Sequence, residues 1–264
     1  MPAQTSPEYT SQVIFWYGVP MRNFASELGY DYTTYSFGYC LYAVREGGDS
    51  LSEIYAAGYL PYSGSPDTPE LAYMARSARL RLQDWTLNSE NRRVYGRFEK
   101  LERTITPVSA DEGMLAFCQD YFAKRHGDVM PEARLRHILH SGWVTHVATY
   151  TQYGTPMAYV WLGRDAEATH FYYSFYDVRL VERSLGLWLM IDLALEAREL
   201  GCDHLYVGTA YGEKGLYKTN FNGLEWWDGC IWRTDRSTLR ARCRVDAGRL
   251  LDRTDYYKEM LALF

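Results

Sequence analysis

Apolar and polar positions recur along this chain with two periods, and the changes of period outline its elements. From residue 185 to 199, Leu185, Leu189, Ile191, Leu193 and Leu195 mix with Asp192, Glu196, Arg198 and Glu199 at helical spacing. That spacing predicts a long helix capped by Ser184 and ended by Gly201. The aromatic stretch 171–176 before it is strand-like, and 204–207 after it is a short buried-strand candidate running into Gly208. A strand–helix–strand unit is expected, followed by a loop carrying Gly, Lys and Tyr.

Upstream, 111–125 and 132–141 are helical patterns, while 143–150 and 155–162 read as strands joined across Gln152, Tyr153 and Gly154. Ala78, Leu80 and Leu82 alternate with Arg79 and Arg81, which predicts a strand with one apolar and one basic face. Ser89 is expected to cap a helix bearing Arg92, Arg93, Arg97 and Lys100, followed by a linker at 104–108. The stretch 51–58 reads as a short helix stopped by glycine, 12–42 as turns and short strands, 64–69 as a loop and 1–7 as disordered. These signals predict an α+β chain with a smaller N-terminal α/β lobe at 1–105 and a mixed sheet flanked by helices at 106–264.

Composition narrows the chemistry. The five cysteines, at 40, 118, 202, 230 and 243, show no C-x-x-C spacing and are odd in number, so reduced thiols are expected rather than a disulfide framework or structural zinc. Of the six histidines, only His137 and His140 stand at a ligand-like spacing, and no metal is assigned. The longest apolar run, 185–195, contains Asp192 and is too short to span a bilayer, so a cytoplasmic protein without a membrane partner is expected. The 24 tyrosines and 8 tryptophans supply rings with a polar tip, suited to site edges as well as to cores. The net charge of −5 argues against nucleic-acid binding by overall charge. Its distribution is uneven: eight cations face four anions between residues 76 and 103, and seven arginines face three aspartates between 233 and 253.

Arg183, Gly186 and Trp188 form R-x-x-G-x-W at the start of the long helix. This is similar to the acyl-donor loop of the GNAT acetyltransferase superfamily, with an indole where a small residue normally lets backbone approach a pyrophosphate. The wider run resembles the C-terminal half of arginyl-tRNA–protein transferases through Ser174, Phe175, Tyr176, Asp177, Ser184, Leu185, Gly186, Tyr206, Gly208, Tyr217, Lys218 and Phe221. The segments AAGYLPYSG (56–64), MARSARLRLQDW (74–85) and LNSENRRV (87–94) follow the order of that family's N-terminal half. The resemblance implies a GNAT-like mixed sheet and an aminoacyltransferase that moves arginine from aminoacyl-tRNA to a protein or peptide with an acidic N-terminus.

Two departures accompany it. The family's N-terminal cysteine cluster is missing, since Cys40 is the sole cysteine before Cys118, so no iron–sulfur cluster and no cofactor beyond the charged tRNA are expected. The Tyr-Lys loop is shorter than the family's and has Gly212 and Gly215 around Glu213 and Lys214 in place of a Cys-Pro element.

The resemblance also assigns roles. Tyr206, Tyr217 and Lys218 are the catalytic candidates: either tyrosine would protonate the leaving ribose oxygen, and Lys218 would meet a tRNA phosphate or an acidic acceptor. Gly186 and the amides around Ser184 and Leu185 would face the carbonyl oxygen, and Asp177 an ammonium or cationic side chain. Ser174, Tyr176 and Gly208 join the substrate-binding set, and Arg76, Arg92 and Arg93 would recognise the acceptor carboxylate. The basic stretches would meet the tRNA acceptor arm. An acyl-CoA-dependent N-acyltransferase and a non-catalytic tRNA- or peptide-binding relative remain alternatives.

Overall fold

The computed structural model describes residues 22–31, 36–63, 68–127, 130–181 and 183–246. The expectations for 1–7 and for most of the 64–69 loop lie outside these residues. Among the described residues, twelve strands and seven helices build two sheets.

The smaller sheet is antiparallel, in the order β1 (Arg22–Asp31), β2 (Ser36–Val44), β4 (Leu71–Met74), β3 (Tyr59–Pro61). Within the described part of 12–42, two long strands stand where turns and short strands were expected, and 12–21 and 32–35 lie outside the described residues. Helix α1 (Leu51–Ala56) precedes β3, held by a capping box between Ser50 and Glu53. The chain leaves it through Gly58 at φ +86°, where a Cβ would lie 2.4 Å from the Trp227 ring, so both conformation and space require glycine there.

The larger sheet runs β12 (Trp232–Arg233), β11 (Leu224–Trp227), β5 (Ser77–Arg81), β10 (His204–Thr209), β9 (Ala168–Tyr176), β8 (Thr155–Arg164), β7 (His146–Gln152), β6 (Glu102–Pro107). Strand β5 lies before residue 105 in sequence yet inside this sheet, and β6 crosses that position. The expected linker at 104–108 is therefore mostly an edge strand, paired with β7 from Glu102↔Thr151 to Pro107↔His146. Its Thr-Ile-Thr core is β-branched, and proline at its end is tolerated because an edge leaves one side unpaired. The β7–β8 hairpin turns through Tyr153 (φ 51°) and Gly154 (φ 78°), the pair of left-handed residues that a two-residue hairpin loop demands.

The helices follow the expected periodicity closely. Helix α2 (Ser89–Tyr95) is capped by Asn88, whose side chain accepts from the Asn91 amide, rather than by Ser89, its first residue. Asp111 caps α3 (Glu112–His126), and Gly127 at φ 67° ends it. Helix α4 (Glu132–His140) packs beside α3. The long α5 (Leu185–Glu199) connects the parallel neighbours β9 and β10, and Gly201 at φ +82° follows its end. Short α6 (Gly212–Gly215), a 3-10 turn at Leu216–Asn220 and α7 (Arg236–Val245) complete the described chain.

The large sheet is covered on both faces. Leu189, Leu193, Ala194 and Ala197 of α5 pack against Val160, Leu162, Phe171, Leu205 and Val207. On the other face, α3 and α4 cover Trp161 and Phe175, while α1 and the smaller sheet cover Ala168 and Tyr206. The acidic residues of α5 are buried with partners: Asp192 accepts from Tyr150 and pairs with Arg103, and Glu196 receives both arms of Arg164 at 2.9 and 2.5 Å. This is the expected α+β architecture with a mixed sheet flanked by helices, and no described helix is long and apolar enough to cross a membrane.

Candidate active site

Strands β9 and β10 are hydrogen-bonded in parallel only from His204↔Ala168 to Tyr206↔His170, although β9 continues to Tyr176 and β10 to Thr209. They part where each strand is irregular. The β10/β5 register shifts between Tyr206 and Thr209, around Gly208 at φ +77°, and the β8/β9 register shifts at Trp161/Leu162, which leaves Tyr172 as the extra residue. Such bulges turn a strand away from its neighbour. The opening they create is the centre of the candidate site.

Two cavities meet at the opening and share Tyr172, Tyr173, Gly208 and Thr209. The first, about 490 Å³, lies towards the smaller sheet and includes Tyr62, Ser63, Tyr73, Arg134 and His170 in its lining. The second, about 440 Å³, is walled by Tyr121, Phe122, Phe171, Phe175, Met190 and Val207, with Ser174, Tyr217 and Lys218 also lining it.

Lys218 is 8% exposed, and its Nζ donates to the Thr209 carbonyl at 2.5 Å. A Cβ on Gly208 would come within 3.6 Å of that nitrogen. No carboxylate pairs with Lys218 among the described residues, and burial pulls its pKa down to about 8. A larger share of it is therefore neutral at a given pH than of an ordinary lysine. Tyr217 sits beside it, 42% exposed, with Lys218 Nζ 5.9 Å from its ring; desolvation raises its hydroxyl to about 12. Of this adjacent pair, lysine is the better proton carrier at neutral pH.

The structure brings Ser174, Gly208, Tyr217 and Lys218 to one cavity, but it distributes the other expected site residues elsewhere. Tyr206 is a core residue, 1% exposed, whose hydroxyl accepts from Arg79 at 3.2 Å and whose pKa is raised by burial. It belongs to the packing between α1 and the sheet, which does not suit a proton donor to a substrate. Leu185 is likewise fully buried in the core. Arg76 is spoken for internally: it pairs with Asp246 at 2.5 Å and lies over the Tyr211 ring at 4.7 Å. Arg92 donates to the Leu87 carbonyl and Arg93 is exposed, both on α2, and neither lines the two cavities.

At the start of α5, Ser184 holds a left-handed conformation (φ 65°) and makes no side-chain cap bond, so it occupies the cap position without the expected capping contact. Tyr176 lies over Gly186: a Cβ there would meet its hydroxyl at 3.0 Å and its ring at 3.1 Å. Trp188 turns the other way, stacking on Tyr95 at 5.7 Å and donating to the Tyr95 carbonyl at 2.8 Å. Asp177 caps the turn Val178–Leu180 and is paired with Arg179 at 2.5 Å, which holds its pKa below the usual range. It lines a separate groove with Asp120, Lys124 and Tyr176.

The basic stretches are largely structural. Arg79 pairs with Glu225, Arg81 with Asp84 and Arg103 with Asp192, while Arg233 pairs with Asp228 and Arg240 binds Thr219. Arg249 and Arg253 lie outside the described residues. Among the described residues no cluster of three or more His, Cys, Asp or Glu is placed to hold a metal ion.

Two residues of the opening escape a reading by motif. His170, last of the paired β9 positions, is 1% exposed; it stacks on Tyr172 at 5.2 Å and has no hydrogen-bond partner for Nδ1. Burial, with Lys218 nearby, lowers its pKa to about 3, so the ring is neutral. Arg134, at the rim, donates to the Ser63 carbonyl at 3.0 Å. In the sequence, His170 stands inside an aromatic strand pattern, and that placement is the signal that singles it out.

The chain resembles known proteins over the stretch that contributes most residues of the second cavity. Residues 114–228 match the family model described as arginine-tRNA-protein transferase, C terminus. An aspartate/glutamate leucyltransferase of Ruegeria sp. (strain TM1040) is 28% identical over 173 residues, covering 59% of this chain and 60% of that protein. One from Methylorubrum extorquens (strain PA1) is 28% identical over 169 residues, covering 56% and 67%, and one from Cereibacter sphaeroides (strain ATCC 17029) is 29% identical over 178 residues, covering 60% and 61%. The matches thus span about 60 to 67% of the length of these relatives. Among solved structures, L-PGS from Bacillus licheniformis superimposes with a TM-score of 0.43 at 14% identity, covering 75% of this chain and 70% of that one. FemX does so with a TM-score of 0.38 at 10% identity, covering 62% and 60%. Over the region that holds β9, α5, β10 and Lys218, the chain is similar to the C-terminal part of arginine-tRNA-protein transferases.

Proposed function

We propose that this protein moves an amino acid from the ester of an aminoacyl-tRNA to the N-terminal amine of a protein or peptide. The observation that carries the reading is Lys218, a buried lysine that lines the second cavity beside the opening and whose pKa burial lowers to about 8. An aminoacyl ester is already activated, so transfer needs alignment of amine and carbonyl and a path for one proton rather than a covalent intermediate. The amine nitrogen attacks the ester carbonyl and forms the new C–N bond. The C–O bond to ribose then breaks as the tetrahedral intermediate collapses. Lys218, starting as the neutral amine, takes the proton released by the nitrogen and returns it to the ribose oxygen, so the enzyme ends as it began.

The second cavity favours a neutral, apolar amino acid over arginine. Phe171, Phe175, Met190 and Val207 stand among its walls, and no carboxylate lines it to pair with a guanidinium. Leucine, the amino acid in the names of the three relatives, fits such a wall, and leucine replaces arginine as the expected cargo. The same names support an aspartate or glutamate at the acceptor's N-terminus. Against acyl-CoA as donor stands Tyr176, whose ring covers the face of Gly186 that a pyrophosphate would have to approach.

The test is to incubate the protein with a peptide beginning with Asp and with either a pool of charged tRNAs or acetyl-CoA, then weigh the peptide by mass spectrometry. A mass gain of one amino-acid residue that disappears after ribonuclease treatment supports the reading. Acetylation, or no gain with any charged tRNA, refutes it in favour of the acyl-CoA enzyme or the binding-only relative.

A further inference from the structure

Away from the opening, a basic groove of about 340 Å³ lies where the turn after α2 meets the β7–β8 hairpin and the segment leading into α5. Its lining gathers Arg97 and Lys100 from the turn and Arg183 from that segment, with Glu99 as the one acidic residue among those lining it. The hydrogen bonds of these cations run to neutral groups. Arg97 donates to the Arg183 carbonyl at 3.1 Å, Arg183 donates back to the Arg97 carbonyl at 3.3 Å, and Lys100 donates to the Tyr153 hydroxyl at 3.4 Å. The Arg183 guanidinium also lies over the Phe98 ring at 5.0 Å. Like charges held close repel one another, and an anion seated among them turns that repulsion into attraction.

Tyr153 marks the same edge of the molecule. It is 82% exposed at the hairpin tip and holds φ 51°, a left-handed conformation that asparagine or glycine adopts at less cost. Neither packing nor the turn accounts for a tyrosine there, and its ring is open to stacking. The groove also leads towards Lys218. It shares Met157 with the groove lined by Tyr176 and Asp177, and that groove shares Tyr121 with the second cavity.

We propose that the basic groove binds the unpaired RNA strand leading to the aminoacylated 3′ end of the donor, with phosphates at Arg97, Lys100 and Arg183 and a base stacked on Tyr153. This rests on the aminoacyl-transfer reading and adds to it the path of the donor strand. Cations whose partners are neutral take up phosphates without first giving up a carboxylate. A ring open to solvent stacks on a base only where that base is unpaired, and stacking tolerates any sequence. The groove thus supplies binding energy common to charged tRNAs and leaves the choice of amino acid to the second cavity.

Binding and transfer are measured separately on the full chain. A 5′-fluorescein-labelled single-stranded RNA ending in CCA, and the same strand annealed to its complement, are titrated by fluorescence anisotropy at several salt concentrations. The wild type should bind the single strand about tenfold more tightly than the duplex. Tyr153→Asn eases the left-handed turn, so its melting temperature should hold or rise while its affinity for the single strand falls about tenfold. The double variant Lys100→Gln, Arg183→Gln should lower the slope of log affinity against log salt by about 1.4, the loss of two phosphate contacts on a single strand. In both variants the KM for aminoacyl-tRNA should rise about tenfold with kcat unchanged, because the ester lies elsewhere. All three side chains are exposed, so the variants should fold.

Equal binding of single strand and duplex, unchanged affinity in the variants, or displacement of the strand by equimolar coenzyme A overturns the proposal, the last by giving the groove to a nucleotide cofactor. Transfer with an unchanged KM in both variants would remove the groove and leave the transfer reading. Strand binding that depends on Tyr153, Lys100 and Arg183 while no charged tRNA supports transfer would uphold the groove and remove the transfer reading instead.

Discussion

Replacing Lys218 by methionine should make the protein more stable at pH 7 and much less active. The pKa of this lysine is lowered from 10.5 to about 8, chiefly by burial, with Cys243 opposing the shift. The native state thus disfavours the charged form, so the unfolded chain holds more protons between about pH 8 and 10.5 and stability rises with pH across that window. Below pH 8 the penalty is fully present and amounts to roughly 3 kcal/mol. By pH 9.5 it has fallen to about 1.4 kcal/mol.

Lys218→Met removes the penalty but leaves the Thr209 carbonyl without its donor, which costs about 1–3 kcal/mol at any pH. The pH-independent loss cancels in the comparison of two pH values. Urea unfolding of wild type and variant at pH 7 and 9.5 should therefore show the variant's relative stability falling by about 2 kcal/mol as pH rises. Transfer should drop by roughly 10²–10⁴-fold, the usual scale for a lost proton carrier. A stability difference that does not change with pH would refute the assignment of a lowered pKa. Retained activity in Lys218→Met would refute its proton role.

Other outcomes follow from the same geometry. Gly208→Ala forces a side chain into a left-handed residue 3.6 Å from the Lys218 nitrogen; it should cost about 1–2 kcal/mol in thermal unfolding and lower transfer without weakening tRNA binding in a filter assay. Arg164→Met strands the buried Glu196 carboxylate and should cost about 3–5 kcal/mol in urea unfolding, and adding Glu196→Leu should recover most of it.

Much of the transferase region was legible in the chain. The period of 185–199 set the long helix, the pattern of 111–125 gave α3, and Tyr153-Gly154 marked a hairpin turn because left-handed positions favour such residues. The family resemblance placed Gly208, Tyr217 and Lys218 together, and the structure brings these three to one cavity. What escaped the sequence depends on neighbours distant along the chain. Edge strand β6 has one largely exposed face, so its residues carry too little apolar alternation to stand apart from a linker. Tyr206 and Leu185 share a motif with site residues yet point into cores, and a motif does not record which way a side chain faces. The burial of Lys218 arises from packing around a 3-10 turn, and the place of Arg134 at the rim from a contact with Ser63, 71 positions away. The arginine-rich stretches promised a broad tRNA footprint, but most of those cations already hold carboxylates or carbonyls within the fold.

The central claim is that the opening between β9 and β10 transfers an apolar amino acid from tRNA. Its most direct measurement is a competition in which the protein meets a limiting Asp-initiated peptide with equal amounts of leucyl-tRNA and arginyl-tRNA, and the modified peptide is sequenced. Leucine at the new N-terminus, in large excess over arginine and absent with Lys218→Met, is the expected result. Arginine in excess, or a peptide left unmodified by both, would contradict the account.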